Sequence, residues 1–144
     1  MTGGIKLRLA LALFIPIALA AAISDQSLEE AMGIAGTEGK YLYVAFIGEG
    51  WSVSSDRFNR TILESTDFQS FASDKLVYFP VKARRKPPLT KDETAKLQAW
   101  VIHFDIKSYP TIIILAPDGQ EVLRHGYKDL KPEAYVALLK AIMP

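Results

Sequence analysis

Tyr41 to Ile47 is an unbroken run of apolar, aromatic and branched residues, set between Gly39 and Gly48. A strand with one wet face alternates polar and apolar side chains, whereas a strand without alternation is buried on both faces. The run therefore predicts a central, parallel strand with helices packed above and below it. Every other segment has to be arranged around that demand, which belongs to a layered α/β domain.

The flanking segments supply the helices. Ser27-Leu28-Glu29-Glu30 has the capping-box spacing, which predicts a helix from Leu28 to about Ala35, ended by Gly36 and Gly39. Gly48 to Ser52 reads as a loop. From Val53 onward, Phe58, Ile62 and Leu63 fall at helical spacing, and Phe68, Phe71 and Ala72 resume the pattern after a break near Ser65-Thr66-Asp67. Leu76 to Val81 is a second strand, and Pro80 assigns it to a sheet edge because proline donates no ladder hydrogen bond. Lys82 to Thr90 is an exposed connection, and Thr90 caps a helix whose stripe of Leu97, Trp100, Val101 and Phe104 puts Trp100 in the core. Thr111 to Leu115 and Glu121 to Gly126, joined through Asp118-Gly119, form a hairpin. Pro132 opens a last helix that places Tyr135, Leu138, Leu139 and Ile142 on one face. The expected fold is α/β, a four-stranded mixed sheet with helices on both faces.

The first residues stand apart. Lys6 and Arg8 precede the apolar run Leu9 to Ile17, and Ala18, Ala20, Ala21 and Ala22 follow, which is the order of a secretory signal. We expect residues 1–22 to be a signal peptide cleaved after Ala22, residues 23–144 to form one domain, and the product to be exported to a periplasm or secreted. The alternative is an uncleaved anchor, the one route by which the chain would meet a membrane. Removing residues 1–22 takes away Lys6 and Arg8 and no acid, turning the formal charge from +1 to −1. That balance speaks against nucleic-acid binding, which calls for a marked basic excess. The sequence contains no cysteine, so it forms no disulfide and carries no lipid on a cysteine.

This order of elements, with a Trp-led loop after the first strand and a proline just before the third, resembles the thioredoxin fold. The residues that carry the likeness are Trp51-Ser52-Val53-Ser54-Ser55, Phe68 and Phe71, Arg84-Arg85-Lys86-Pro87, Tyr109-Pro110-Thr111, and Asp118-Gly119 with Gly126-Tyr127. They are similar to the exported bacterial thioredoxin-like group that bears a Trp-Cys-x-x-Cys motif. The resemblance implies that Ser52 and Ser55 stand where that group has its two redox cysteines, and that Pro110 is cis beside the loop. In such enzymes one thiolate attacks a disulfide and the second resolves the mixed disulfide. A serine hydroxyl cannot make that bond, so the expected member is redox-inactive. The first strand, Val44-Ala45-Phe46-Ile47, also lacks the buried carboxylate found in many thioredoxins.

The vestigial face, comprising Trp51, Ser52, Val53, Ser54, Ser55, Tyr109 and Pro110, is the candidate binding site for a protein or peptide. Two readings stay open there. The serine hydroxyls and loop N–H groups hold an anion or acidic side chain, or one serine simply caps the following helix. A hydrolase would need a base, and neither His103 nor His125 lies in a recognisable motif. Those two histidines make no zinc set without further ligands, and Gly48-x-Gly50 lacks the rest of a dinucleotide fingerprint, so no metal or cofactor is expected. Lys82, Arg84, Arg85 and Lys86 read as a solvated basic loop, with reception of an acidic partner as the alternative. The function expected is non-catalytic binding. The alternatives are a thiol-independent enzyme at the same face and a structural subunit of an envelope assembly.

Overall fold

The computed structural model describes residues 27–144, and the signal expected over residues 1–22 lies outside the described residues. The chain runs α1 (Leu28–Glu38), β1 (Tyr41–Ile47), α2 (Val53–Phe58), a π-helical turn (Asn59–Leu63), α3 (Thr66–Lys75), β2 (Leu76–Lys82), α4 (Lys91–His103), β3 (Thr111–Leu115), β4 (Glu121–His125) and α5 (Pro132–Ile142). The strands form one four-stranded sheet in the order β2-β1-β3-β4.

β1 is central, and from Leu42 to Ile47 every side chain is buried, as its lack of alternation demands. Its parallel pairing holds on one side only. Tyr41 lies opposite Leu76 and Ile47 opposite Lys82 in the parallel β1–β2 ladder, whereas β3 runs antiparallel, with Leu42 opposite Leu115 and Phe46 opposite Thr111. That reversal positions the site. Because β3 begins beside the end of β1, Pro110 arrives where the chain leaves β1 for the Trp51 loop.

The pleat divides the core in two. Tyr43, Ala45 and Ile47 point into a cluster with Phe58, Ile62, Phe68, Ile112, Ile114 and Tyr135, covered by α2, α3 and α5. Leu42, Val44 and Phe46 point the other way, into a cluster with Ala31, Ala35, Phe79, Phe104 and Ile113, covered by α1 and α4. The period of two along β1 is what separates these sets. β2 is an edge strand, so Pro80 costs the sheet no ladder donor.

Several boundaries differ from the sequence reading. α1 runs through Gly33 and Gly36 to Glu38, because each helical glycine costs only about 1 kcal/mol and the helix buries Ala31 and Ala35. Gly39 is the true stop, in the left-handed conformation with φ 64° and its N–H donating near Ala35. The break near Ser65 is a π-helical turn followed by a new cap, the Ser65 hydroxyl accepting from the Phe68 N–H at 3.2 Å. Trp100 is half-buried rather than central, since α4 lies along the sheet with no fully buried residue. β4 stops at His125, one residue short of Gly126. The hairpin turn carries Gly119 at φ 89°, a conformation glycine adopts without a Cβ penalty. Among the described residues, no helix is long and apolar enough to cross a membrane.

Candidate functional site

The site begins where β1 releases the chain. A Cβ on Gly48 would lie 2.7 Å from the Ser52 Cβ and 2.8 Å from the Trp51 ring, so the loop closes on itself only because residue 48 has no side chain. Gly50, at φ 76°, completes the reversal. The Ser52 N–H then donates to the Gly48 carbonyl at 3.0 Å, and the Gly48 N–H donates back to the Ser55 hydroxyl at 3.0 Å. Asp56 accepts from the Gly50 N–H at 3.1 Å. The loop is thus tied down at both ends before any partner arrives.

Ser52 is the N-cap of α2, its hydroxyl accepting from the Ser55 N–H at 3.2 Å. The same hydroxyl donates to the Tyr109 carbonyl at 3.3 Å, linking the loop to the Tyr109–Pro110 bond, which is cis. Ser55 is wholly buried, with its oxygen engaged by Gly48. Both hydroxyls are therefore satisfied internally, and the cap accounts for Ser52 without a ligand. Val53, at 82% exposure, and Ser54 are the outward-facing residues of the turn.

Trp51 is fixed on several sides. Its indole N–H donates to the Ala83 carbonyl, its ring meets Tyr109 edge-to-face at a centroid distance of 5.4 Å, and the Arg85 guanidinium lies 4.2 Å from its ring centre. Burial raises the Tyr109 phenol above its ordinary pKa, so it stays neutral here. The seven residues expected at the face, from Trp51 to Ser55 with Tyr109 and Pro110, come together at this end of the sheet, but Ser55 and Pro110 are buried there, and only Trp51, Ser52, Val53, Ser54 and Tyr109 reach the surface. The Arg85 contact had no signal in the sequence beyond a run of basic residues.

No histidine hydrogen-bonds Ser52, Ser54 or Ser55 among the described residues, so none is placed as a base for them. His125 serves a different structure. Its Nδ1 lies 2.6 Å from the Gly126 carbonyl, its Nε2 2.8 Å from the Tyr135 hydroxyl, and Tyr135 lies 2.7 Å from the Tyr43 hydroxyl. A carbonyl only accepts, so Nδ1 carries the proton, Tyr135 donates to Nε2, and Tyr43 donates to Tyr135. Burial lowers the His125 pKa, against the pull of the Gly126 carbonyl and with help from the Lys128 charge, which agrees with a neutral ring. Burial likewise pushes the Tyr43 and Tyr135 phenols far up. The sequence reading missed this chain; its one trace was Tyr43, the second of two tyrosines in an otherwise apolar central strand. Among the described residues, no group of three or more His, Asp or Glu side chains is gathered for a metal.

The sequence profile of the thioredoxin-like domain matches residues 28–142. The disulfide bond reductase DsbH of Chlamydia pneumoniae is 24% identical over 128 residues, covering 89% of this chain and 76% of that protein. A solved DsbH oxidoreductase superposes with a TM-score of 0.74 at 24% identity, over 89% of this chain and 88% of the other. A thioredoxin from Thermus thermophilus superposes with a TM-score of 0.59 at 18% identity, over 80% and 82%. Both structural likenesses concern the fold, while the activity in the reductase's name depends on thiols that these 144 residues do not contain. With the profile spanning nearly all of the described residues, the chain belongs to the thioredoxin-like domain family.

Proposed function

We propose that this is a non-catalytic, extracytoplasmic thioredoxin-like protein that holds a protein or peptide partner on the face formed by Trp51 to Ser54 and Tyr109, with Ser55 and Pro110 buried beneath it. The observation that carries this reading is the state of the loop. Trp51 and Tyr109 are held in a fixed edge-to-face pair beside an exposed Val53, while Ser52 and Ser55 have their hydroxyls committed inward. An apolar platform of rigid aromatics offers contact area at low entropic cost, whereas chemistry at the serines would first have to break the hydrogen bonds that build the loop. Export rests on the basic start, apolar run and alanine-rich end of residues 1–22.

Photo-crosslinking tests the reading. With a photoreactive residue at Val53, the protein expressed in its own host should yield a discrete adduct that disappears when Trp51→Ala is added. A second probe at Ala99 on α4, also solvent-exposed, serves as the control. Adducts equal at both positions, or none at Val53, would sink the proposal.

A further inference from the structure

The connection from Lys82 to Thr90 carries Lys82, Arg84, Arg85 and Lys86, and the structure divides them into two kinds. Lys82 is paired with Glu49 at 3.0 Å. Arg84 is clamped by both oxygens of Glu93, at 3.0 and 3.1 Å, and its Nε donates to the Pro87 carbonyl at 3.0 Å. The Glu93 carboxyl is held below its ordinary pKa, first by the Thr90 N–H and then by Arg84. These two cations are spent on tying the end of β2 to the loop that follows β1 and the connection to α4. Arg85 and Lys86 are exposed, and among the described residues neither makes an ion pair.

Arg85 is nevertheless not loose. Its guanidinium lies over the Trp51 ring at 4.2 Å, and that ring is itself anchored through Ala83 and Tyr109. Stacking on an aromatic face restricts a side chain that otherwise has many rotamers, and it leaves the edge N–H donors turned outward. A planar set of donors in that attitude matches a carboxylate through two parallel hydrogen bonds. The hydroxyls of Ser52 and Ser55, by contrast, are already used. The positive charge of this face therefore comes from the basic connection and not from the serine turn.

We infer that the face around Trp51 recognises an acidic segment of a protein partner, with Arg85 receiving an Asp or Glu carboxylate beside the Trp51–Tyr109 pair and Lys86 adding to the field. This rests on the binding role proposed above and names the chemistry of its occupant. Charge complementarity selects the partner. Two cations without carboxylate partners stand beside an apolar platform, on a protein whose residues 23–144 are close to neutral overall.

Calorimetric titration of residues 23–144 with paired extended peptides tests it, one member of each pair bearing Asp and Glu and the other Asn and Gln at the same positions. The acidic member should bind about tenfold more tightly at low salt, and the advantage should shrink as salt screens it. Arg85→Gln should remove most of that advantage, and Arg85→Lys, which keeps the charge but not the planar fork, should restore only part of it. Equal binding of both members to the wild type would overturn the acidic preference while leaving the peptide-binding role intact. If no peptide binds, that role falls and this inference with it. A single-stranded oligonucleotide that binds as well as the acidic peptide would reveal a general polyanion surface and also overturn the proposal.

Discussion

At the scale of single residues, the chain from Tyr43 through Tyr135 to His125 has a direction, because the Gly126 carbonyl at its end can only accept. Its members are therefore not equivalent. Tyr135→Phe removes the hydroxyl in the middle, leaving a buried ring nitrogen and a buried phenol without partners, which should cost about 1–3 kcal/mol in urea unfolding at neutral pH. Tyr43→Phe removes only the terminal donor, and should cost less, about 0.5–1.5 kcal/mol. Equal losses would mean that the hydroxyls are oriented otherwise. Protonating His125 makes Nε2 a donor and forces the chain to reverse: Tyr135 then donates to Tyr43, whose own buried proton has no acceptor among the described residues. With the folded pKa below the ordinary 6.5, the unfolded chain takes up the proton first, so stability is full above about pH 6.5 and declines as pH falls toward the folded pKa. His125→Gln should flatten that decline, as measured by unfolding free energies across this interval.

At the scale of elements, the Gly48–Ser55 turn is the part whose geometry makes the sharpest demands. Gly48→Ala forces a methyl into the Trp51 ring and the Ser52 Cβ, and should cost about 1–3 kcal/mol while displacing Trp51. Ser52→Cys with Ser55→Cys should close into an intramolecular disulfide under mild oxidation, since one turn already holds the two positions against each other. The thiol at position 52 should titrate below the roughly 8.5 of a free cysteine, because the N–H of residue 55 is aimed at it. Thiol counting and the pH dependence of alkylation test both; a reduced or intermolecularly crosslinked double variant would contradict the turn geometry. Most of this element was legible in the sequence, through the glycines around Trp51 and the resemblance carried by Trp51 to Ser55 and Tyr109-Pro110. The π-helical turn at Asn59–Leu63 was not, because Phe58, Ile62 and Leu63 keep the same core-facing order whether or not one residue is looped out. The stacking of Arg85 was hidden for a different reason: cation and ring are far apart in sequence, and composition alone cannot tell a pinned arginine from a solvated one.

At the scale of the whole molecule, the unbroken apolar run in β1 dictated a sheet covered on both faces, and Pro80 dictated which strand lies at its edge. Strand direction on the far side of β1 was less accessible, since a helical connection such as α4 is compatible with either sense of return. The export reading has its own test. The intact mass of protein recovered from its host should lack Met1 to Ala22, and retention of that segment in the bulk of the protein would show an anchor.

The two indoles of the molecule occupy unlike settings, and this gives it an optical consequence. Trp100 packs edge-on to Phe79 at 5.3 Å beneath α4, whereas Trp51 stands at the rim under a guanidinium. An acidic segment seated on the stacked Arg85 excludes water from the rim and changes the charge above the ring, which should alter the fluorescence of Trp51 and leave that of Trp100 as an internal reference. Trp100→Phe should keep the emission change on peptide addition, and Trp51→Phe should abolish it. The stacked arginine thus makes occupancy of this face visible without any label attached to the protein.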